Sequence, residues 1–307
     1  MPQKTAYIFP GQGTQYVGMG EELWRNSPAA RRVFQEADDV LNRPLSRLIF
    51  EGPREELDKT TNAQPAIMVV SLAYLKAVDE AVGLEALGPL AFSAGHSLGE
   101  YTALVASGAM SISDGIRLVQ ERGRLMQYAS SLRPGGMAAI LGLDEFTMEE
   151  IALETGVKIA NVNSEDQIVI SGDRLSLARA MDLATARGAR KTIRLAVSGA
   201  FHSHLMAPAA EGLKQAVSQF AFKDPVVPVV ANCTAKPLTT AQEVKQELID
   251  QLCGCVNWKK SIRTMVDQGV TNFVEFGPGK VLTGLVKRIS PETKATTAAE
   301  LAGALAR

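Results

Sequence analysis

The chain is poor in the residues that build metal clusters and disulfide frameworks, with three cysteines and three histidines among 307 residues. Cys233 stands apart, and Cys253-Gly254-Cys255 lacks both the two-residue spacing and the second pair of a zinc site, so no metal is expected. Free thiols in a reducing cytoplasm are the better reading. Neither sign of charge prevails: 32 Lys and Arg stand against 33 Asp and Glu, for a formal net charge of -1. Such a balance builds no basic field for phosphate backbones, which argues against a nucleic-acid partner. No 18 apolar residues follow one another, so no membrane span is expected. The apolar run ending at Phe9-Pro10 is too short for a secretory signal. Repeats and low-complexity blocks are absent too.

What remains is an ordinary supply of core: 46% hydrophobic and 21% charged residues, enough for one large domain or two unequal ones. Strand-like runs alternate with helical periodicity, the pattern of an α/β protein. Thr5 to Phe9 reads as a strand closed by Pro10-Gly11-Gln12-Gly13, and Pro89 to Ala94 as another, stopping at Gly95. Helices are expected from Glu21 to Leu41, Ala63 to Val82, Leu98 to Ser107 and Ser113 to Tyr128, the last capped by Ser113. Residues 131–198 read differently. Met137 to Leu143, Val157 to Val162, Gln167 to Ser171 and Arg190 to Val197 are strand-like, and the stretches between them give the order β-α-β-β-α-β, a ferredoxin-like signature. We read this as a small domain inserted in a larger one. Val226 to Val230 and Asn272 to Phe276 resume the strands, and the Ala- and Thr-rich tail from Glu292 is expected to fray.

Gly95-His96-Ser97-Leu98-Gly99 fits a Gly-x-Ser-x-Gly elbow. A chain that leaves a strand and turns at once into a helix lifts the serine hydroxyl clear of the backbone. Glycines on either side remove the side chains that would collide there. The helix N-terminus behind Ser97 offers unpaired N–H groups to a developing oxyanion. A serine at neutral pH needs a base. His96 is adjacent, and neighbouring side chains diverge at an elbow, which leaves His202 or His204; spacing alone does not choose between them. The group that orients the histidine is also open. The carboxylates between Ser97 and the histidines fall mostly in the inserted domain, so a backbone or amide carbonyl would serve instead.

Several blocks resemble the malonyl-CoA:acyl carrier protein transacylases and the acyltransferase domains of fatty-acid and polyketide synthases. They are Phe9-Pro10-Gly11-Gln12-Gly13-Thr14-Gln15, Gly95 to Tyr101, Gln120-Glu121-Arg122-Gly123, Asn161 to Ser164, Ala200 to Met206 and Glu275 to Gly279. They keep the family's order and span nearly the whole chain. The resemblance implies a large α/β-hydrolase-like catalytic domain with a mostly parallel sheet, residues 1–130 and 199–307, and a small ferredoxin-like (βαββαβ) domain, residues 131–198. It further implies Ser97 as acylated nucleophile, His202 as base, and Gln251 as the residue offering the histidine a carbonyl. Gln12 and Leu98 would supply oxyanion N–H groups, while His96 and Asn163 would lie at the substrate. Arg122 would fork onto the free malonyl carboxylate with a charge it cannot lose. Phe201 and Leu98 would crowd a methyl branch and favour malonyl over methylmalonyl, a preference worth ~1–3 kcal/mol. The partners implied are malonyl-CoA and acyl carrier protein, with no cofactor, since coenzyme A is part of a substrate. The rival readings are an acyl-thioester hydrolase, an acyltransferase for another acyl-CoA, and a silent binding module on the same fold.

Overall fold

The structure, a computed structural model, describes residues 4–305, with side chains through Leu301. Its strands are β1 (Lys4–Phe9), β2 (Leu90–Gly95), β3 (Gly135–Leu141), β4 (Lys158–Ser164), β5 (Gln167–Asp173), β6 (Lys191–Arg194), β7 (Val229–Val230), β8 (Pro237–Leu238), β9 (Val270–Glu275) and β10 (Lys294–Thr297). They form two sheets, ordered β10-β9-β1-β2-β7-β8 and β4-β5-β3-β6.

The first sheet is parallel from β10 to β7, with β8 antiparallel at its edge. β1 is central and buried along all but its first residue, as a near-continuous apolar strand covered on both faces must be. Phe9 pairs with Gly95 and Ile8 with Glu275, so the carboxyl ends of β1, β2 and β9 finish level. The turns that follow, at Pro10–Gly13, His96–Ser97 and Phe276–Gly279, therefore open on one edge, where open parallel sheets bind ligands. The Thr60–Val82 helix runs through the core, buried on nearly every side of its first half. Phe276 packs on Tyr7 and Phe9 at ring-centroid distances of 4.9 and 6.0 Å.

The second sheet is antiparallel throughout, and its elements follow the order β-α-β-β-α-β. Alternation splits its residues between two faces. Ala138, Ile140, Ile168 and Ile170 pack with Ile151 and Leu177 of the Glu145–Thr155 and Arg174–Ala186 helices. Met137, Ala139 and Val169 join the core of the first sheet instead. β4 is stitched to residue 256 by main-chain bonds, Val162 N–H to Val256 O at 2.9 Å and Val256 N–H to Ala160 O at 2.8 Å.

Some local expectations change. The helix expected from Glu21 to Leu41 is two, because Ser27 caps a fresh start at Pro28, where a proline lacks nothing a first-turn residue needs. Ser111, not Ser113, caps the Ile112–Leu132 helix, accepting from Asp114 N–H; Ser113 bonds Glu36. The expected turn at Asn163 to Asp166 is tighter, and Asn163 and Ser164 belong to β4. The tail is not frayed over its described part: Lys294–Thr297 pairs with β9 as an edge strand and a helix follows. Arg307 lies outside the described residues. Among the described residues, no helix is long and apolar enough to cross a membrane.

Candidate active site

At the end of β2 three backbone segments touch without side chains between them. A Cβ on Gly95 would lie 1.8 Å from the Gly99 carbonyl carbon, one on Gly99 2.0 Å from Phe9 O, and one on Gly11 2.4 Å from His96 O. The glycines are obligatory here, for contact rather than for φ. Ser97 takes the strain, with φ 52° and ψ -107° at the N-cap of the Leu98–Ala106 helix. Asn232 clamps the bend. Its Oδ1 accepts from Ser97 N–H at 2.7 Å and its Nδ2 donates to Gly95 O at 2.7 Å.

His202 also sits at positive φ, 57°, and faces the elbow with Nε2 2.7 Å from Ser97 Oγ. Its Nδ1 lies 3.0 Å from Gln251 O and 3.1 Å from Gly254 O. Carbonyls only accept, so Nδ1 carries the proton and Nε2 presents its lone pair to the Ser97 hydroxyl. The orienting group is thus main chain: Gln251 and Gly254 contribute carbonyls, and among the described residues no carboxylate bonds His202. Burial above all, and next the Arg122 charge, depress His202 to about 3, so the imidazole is neutral. His204 is exposed on the following turn, away from Ser97.

Arg122 is buried, unlike Arg117 and Arg124 on the same helix, which pair at the surface with Asp114 and Glu121. Its Nη1 donates to Gln64 Oε1 at 2.8 Å, and its Nη2 to Gln251 Oε1 at 3.0 Å and Ser97 Oγ at 3.2 Å. The guanidinium carbon stands 5.1 Å from the Tyr101 ring centroid, and Nε has no partner. Among the described residues no carboxylate reaches ion-pair distance of it. Burial lowers its pKa, yet a guanidinium does not give up its proton in a protein. The result is a cation desolvated beside a hydroxyl, without its counter-charge.

Ser97, His202, Arg122, Gln12, His96 and Phe201 line one cleft; Asn163, Asn161, Met137 and Val169 of the second sheet wall its far side. His96 Nε2 meets Asn163 Oδ1 at 2.8 Å, with Asn161 Nδ2 at 3.2 Å, and burial lowers its pKa. The N–H groups of Gln12 and Leu98 have no acceptor among the described residues. Gln251 stands behind the cleft, not in it. Of the two residues expected to crowd a methyl branch, Phe201 lines the cleft and the Leu98 side chain does not; it is packed in the core. Sequence reasoning missed Gln64, Asn232 and the structural part of Glu100. Only Glu100, directly after the elbow, carried any signal. Among the described residues no group of three or more His, Cys, Asp or Glu side chains is arranged to hold a metal ion.

A hydroxyl on a strained strand-to-helix turn, an imidazole aimed at it and unpaired amides beside both make this an α/β enzyme of the acyl-transferring class. Comparison with known proteins narrows the class. Residues 6–307 match the acyl transferase domain family, and the chain belongs to it. A malonyl CoA-acyl carrier protein transacylase of Bacillus subtilis is 47% identical over 296 residues, 95% of this chain and 92% of that protein. An acyl-carrier-protein S-malonyltransferase structure from Bartonella henselae superposes with a TM-score of 0.93 at 42% identity, covering 99% of this chain and 100% of that one. A malonyl-transacylase solved in complex with its type II PKS acyl-carrier protein gives a TM-score of 0.93 at 38% identity, with 99% of each chain covered.

Proposed function

We propose that this enzyme moves the malonyl group of malonyl-CoA onto the phosphopantetheine thiol of an acyl carrier protein, in fatty-acid biosynthesis, through a malonyl-Ser97 intermediate. His202 Nε2 takes the Ser97 proton as Oγ attacks the thioester carbon, and the oxyanion rests on the N–H groups of Gln12 and Leu98. Collapse expels the coenzyme A thiolate, which leaves with the proton from His202. The carrier thiol then gives its proton to His202, attacks the acyl-serine and regenerates Ser97. No cofactor enters either half. His96 and Asn163 border the acyl group, and Phe201 disfavours a branched one.

The observation that carries this reading is the buried Arg122 cation, 3.2 Å from Ser97 Oγ and without a carboxylate of its own. A malonyl ester on Ser97 ends in a carboxylate three carbons from Oγ, short enough to fold back onto that guanidinium. Two parallel N–H···O bonds there would replace the counter-charge the fold omits. The same pairing holds the ester still and explains transfer in preference to hydrolysis, since it resists the rotation that would admit water.

The lobe division belongs to this reading as well. Residues 131–198 form a ferredoxin-like lobe, supported by their element order and by strand order 2-3-1-4, set into an α/β-hydrolase-like lobe of residues 1–130 and 199–307. A cytoplasmic location goes with the three cysteines, which stand as free thiols. The test is a donor panel with one carrier protein. Arg122→Ala should lower malonyl transfer by about 100-fold or more, the scale of an unpaired buried charge, and should improve acetyl transfer. Equal losses for both donors would overturn the carboxylate role.

A further inference from the structure

The side chain of Gln251 has work to do that its main-chain bond to His202 does not explain. Arg122 can only donate, and the Ser97 carbonyl can only accept. The Gln251 amide meets both: Oε1 takes the Arg122 Nη2 bond at 3.0 Å, and Nε2 donates to Ser97 O at 2.8 Å. Its second N–H then points at Glu100 Oε2, 2.5 Å away. Gln251 and Glu100 are both fully buried, so no solvent can take that N–H instead. The other carboxyl oxygen, Oε1, accepts from Asn232 N–H at 2.9 Å, and the Asn232 side chain spans Ser97 N–H and Gly95 O. One carboxyl group therefore holds the amide that steadies the cation with one oxygen and the residue that clamps the elbow with the other.

We propose that Glu100 is a positioning residue: it fixes which way the Gln251 amide faces, and so holds Arg122 where a carboxylate-bearing acyl group needs it. The inference rests on the malonyl reading above. It follows from donor and acceptor count: burial, and next the neighbouring Glu247, raise the Glu100 pKa, but both its oxygens accept N–H bonds, which requires the carboxylate form. A glutamine at 100 has the same shape but only one acceptor. The Asn232 N–H is main chain and cannot turn, so the oxygen stays there and the new NH₂ confronts the NH₂ of Gln251. Gln251 relieves that clash by rotating its amide, which sets NH₂ against the Arg122 guanidinium and oxygen against the Ser97 carbonyl. Arg122 loses the amide acceptor on Nη2 and keeps Gln64 on Nη1, while the elbow keeps its clamp.

The experiment compares malonyl-CoA with acetyl-CoA in the full-length enzyme for Glu100→Gln, Gln251→Met and the double variant, with thermal melts of each. Gln251→Met keeps the carbonyl that serves His202. In both single variants kcat/KM for malonyl should fall about tenfold further than for acetyl, and the double should be no worse than the poorer single, as coupled positions behave. Equal losses for the two donors, or losses that multiply in the double, would refute the proposal. Should Glu100→Gln fail to fold, Glu100→Asp decides: it keeps both acceptors, so malonyl selectivity should survive there while Gln251→Met loses it, and the reverse would refute. Arg122→Ala runs alongside. If that variant leaves selectivity unchanged, the malonyl reading has failed; if it shifts selectivity and Glu100→Gln does not, only the role of Glu100 has.

Discussion

The two sheets reach the same cleft from opposite sides and contribute to it in different ways. The parallel sheet supplies positions set by main chain with no slack. Ser97 and His202 sit at φ 52° and 57°, and Gly95 and Gly99 leave no room for a single carbon. The antiparallel sheet supplies side chains from strands that tolerate irregularity: Asn161 and Asn163, two apart on β4, reach the cleft although the pairing with β5 shifts register beside each, and Val169 reaches it from β5. Bond making needs atoms held to a few tenths of an ångström, which an over-determined backbone can do. Fitting an acyl chain needs shape and polarity, which exchangeable side chains provide.

The sharpest way to break that contrast is to disturb each side by one small change. Ser97→Ala should abolish the acyl-enzyme and lower turnover by roughly 10⁴-fold or more, the scale of losing a nucleophile that acts in concert with its base. Gly95→Ala, one methyl group, should cost about 3 kcal/mol or more of stability, because its contact is backbone that cannot yield. Urea unfolding measures the second effect and trapped malonyl-enzyme the first. Asn163→Ala on the other sheet removes a whole amide, yet should leave stability within about 2 kcal/mol and raise KM more than it lowers kcat. A stable Gly95→Ala beside an unfolded Asn163→Ala would reverse the contrast.

The pH dependence follows from the same elbow. His202 is held down to about 3, first by burial and then by the Arg122 charge. A base that stays neutral down to such pH puts the acid limb of Ser97 acylation well below 6.5. Arg122→Met removes the second cause and keeps the first, so the limb should rise yet stay under the ordinary histidine value. The rate of Ser97 sulfonylation by an uncharged sulfonyl fluoride, followed against pH, reports this without needing malonyl. Stability carries the matching sign. With the folded value depressed, the unfolded chain binds the extra proton, so the contribution of His202 is full above 6.5 and is lost as pH falls from there toward 3.

The contrast also explains what could be read from the sequence. The elbow was legible because steric demands leave glycine as the only solution at 95 and 99. The antiparallel strands were legible as short runs rich in Val, Ile and Ala set between turn and helix signals. What resisted reading were bonds made by groups every residue possesses. The carbonyls of Gln251 and Gly254 orient His202, and any side chains could have carried them. Asn232 is one polar residue after a two-residue strand, and nothing local marks it as the clamp of an elbow 135 positions away. The choice between His202 and His204 turns on a single left-handed residue, which periodicity cannot show. The edge strand at Lys294–Thr297 was hidden because its partner, β9, lends the pairing that Ala- and Thr-rich sequence does not advertise.

The smallest effect should come from the ion pairs at the junction of the two sheets. Lys259 Nζ, on the Trp258–Asp267 helix of the first sheet, lies 2.9 Å from Glu145 Oε2 and 3.5 Å from Glu165 Oε2 beside the second. Arg263 adds a bond to Glu165. Both glutamates are about half exposed, and a pair open to water on one side is worth ~0.2–1 kcal/mol after screening. The main-chain bonds between β4 and Val256 cross the same junction, lie deeper and do not depend on salt. With the bond between His96 and Asn163, they tie Asn163 to the elbow more directly than the ion pairs do. Lys259→Met should therefore cost under about 1 kcal/mol at low salt and nearly nothing at 1 M, with KM for malonyl-CoA within about twofold of the parent. A large, salt-dependent rise in KM would mean that charge, not backbone, holds the cleft to its width, and that the second sheet has a part in catalysis beyond lending side chains.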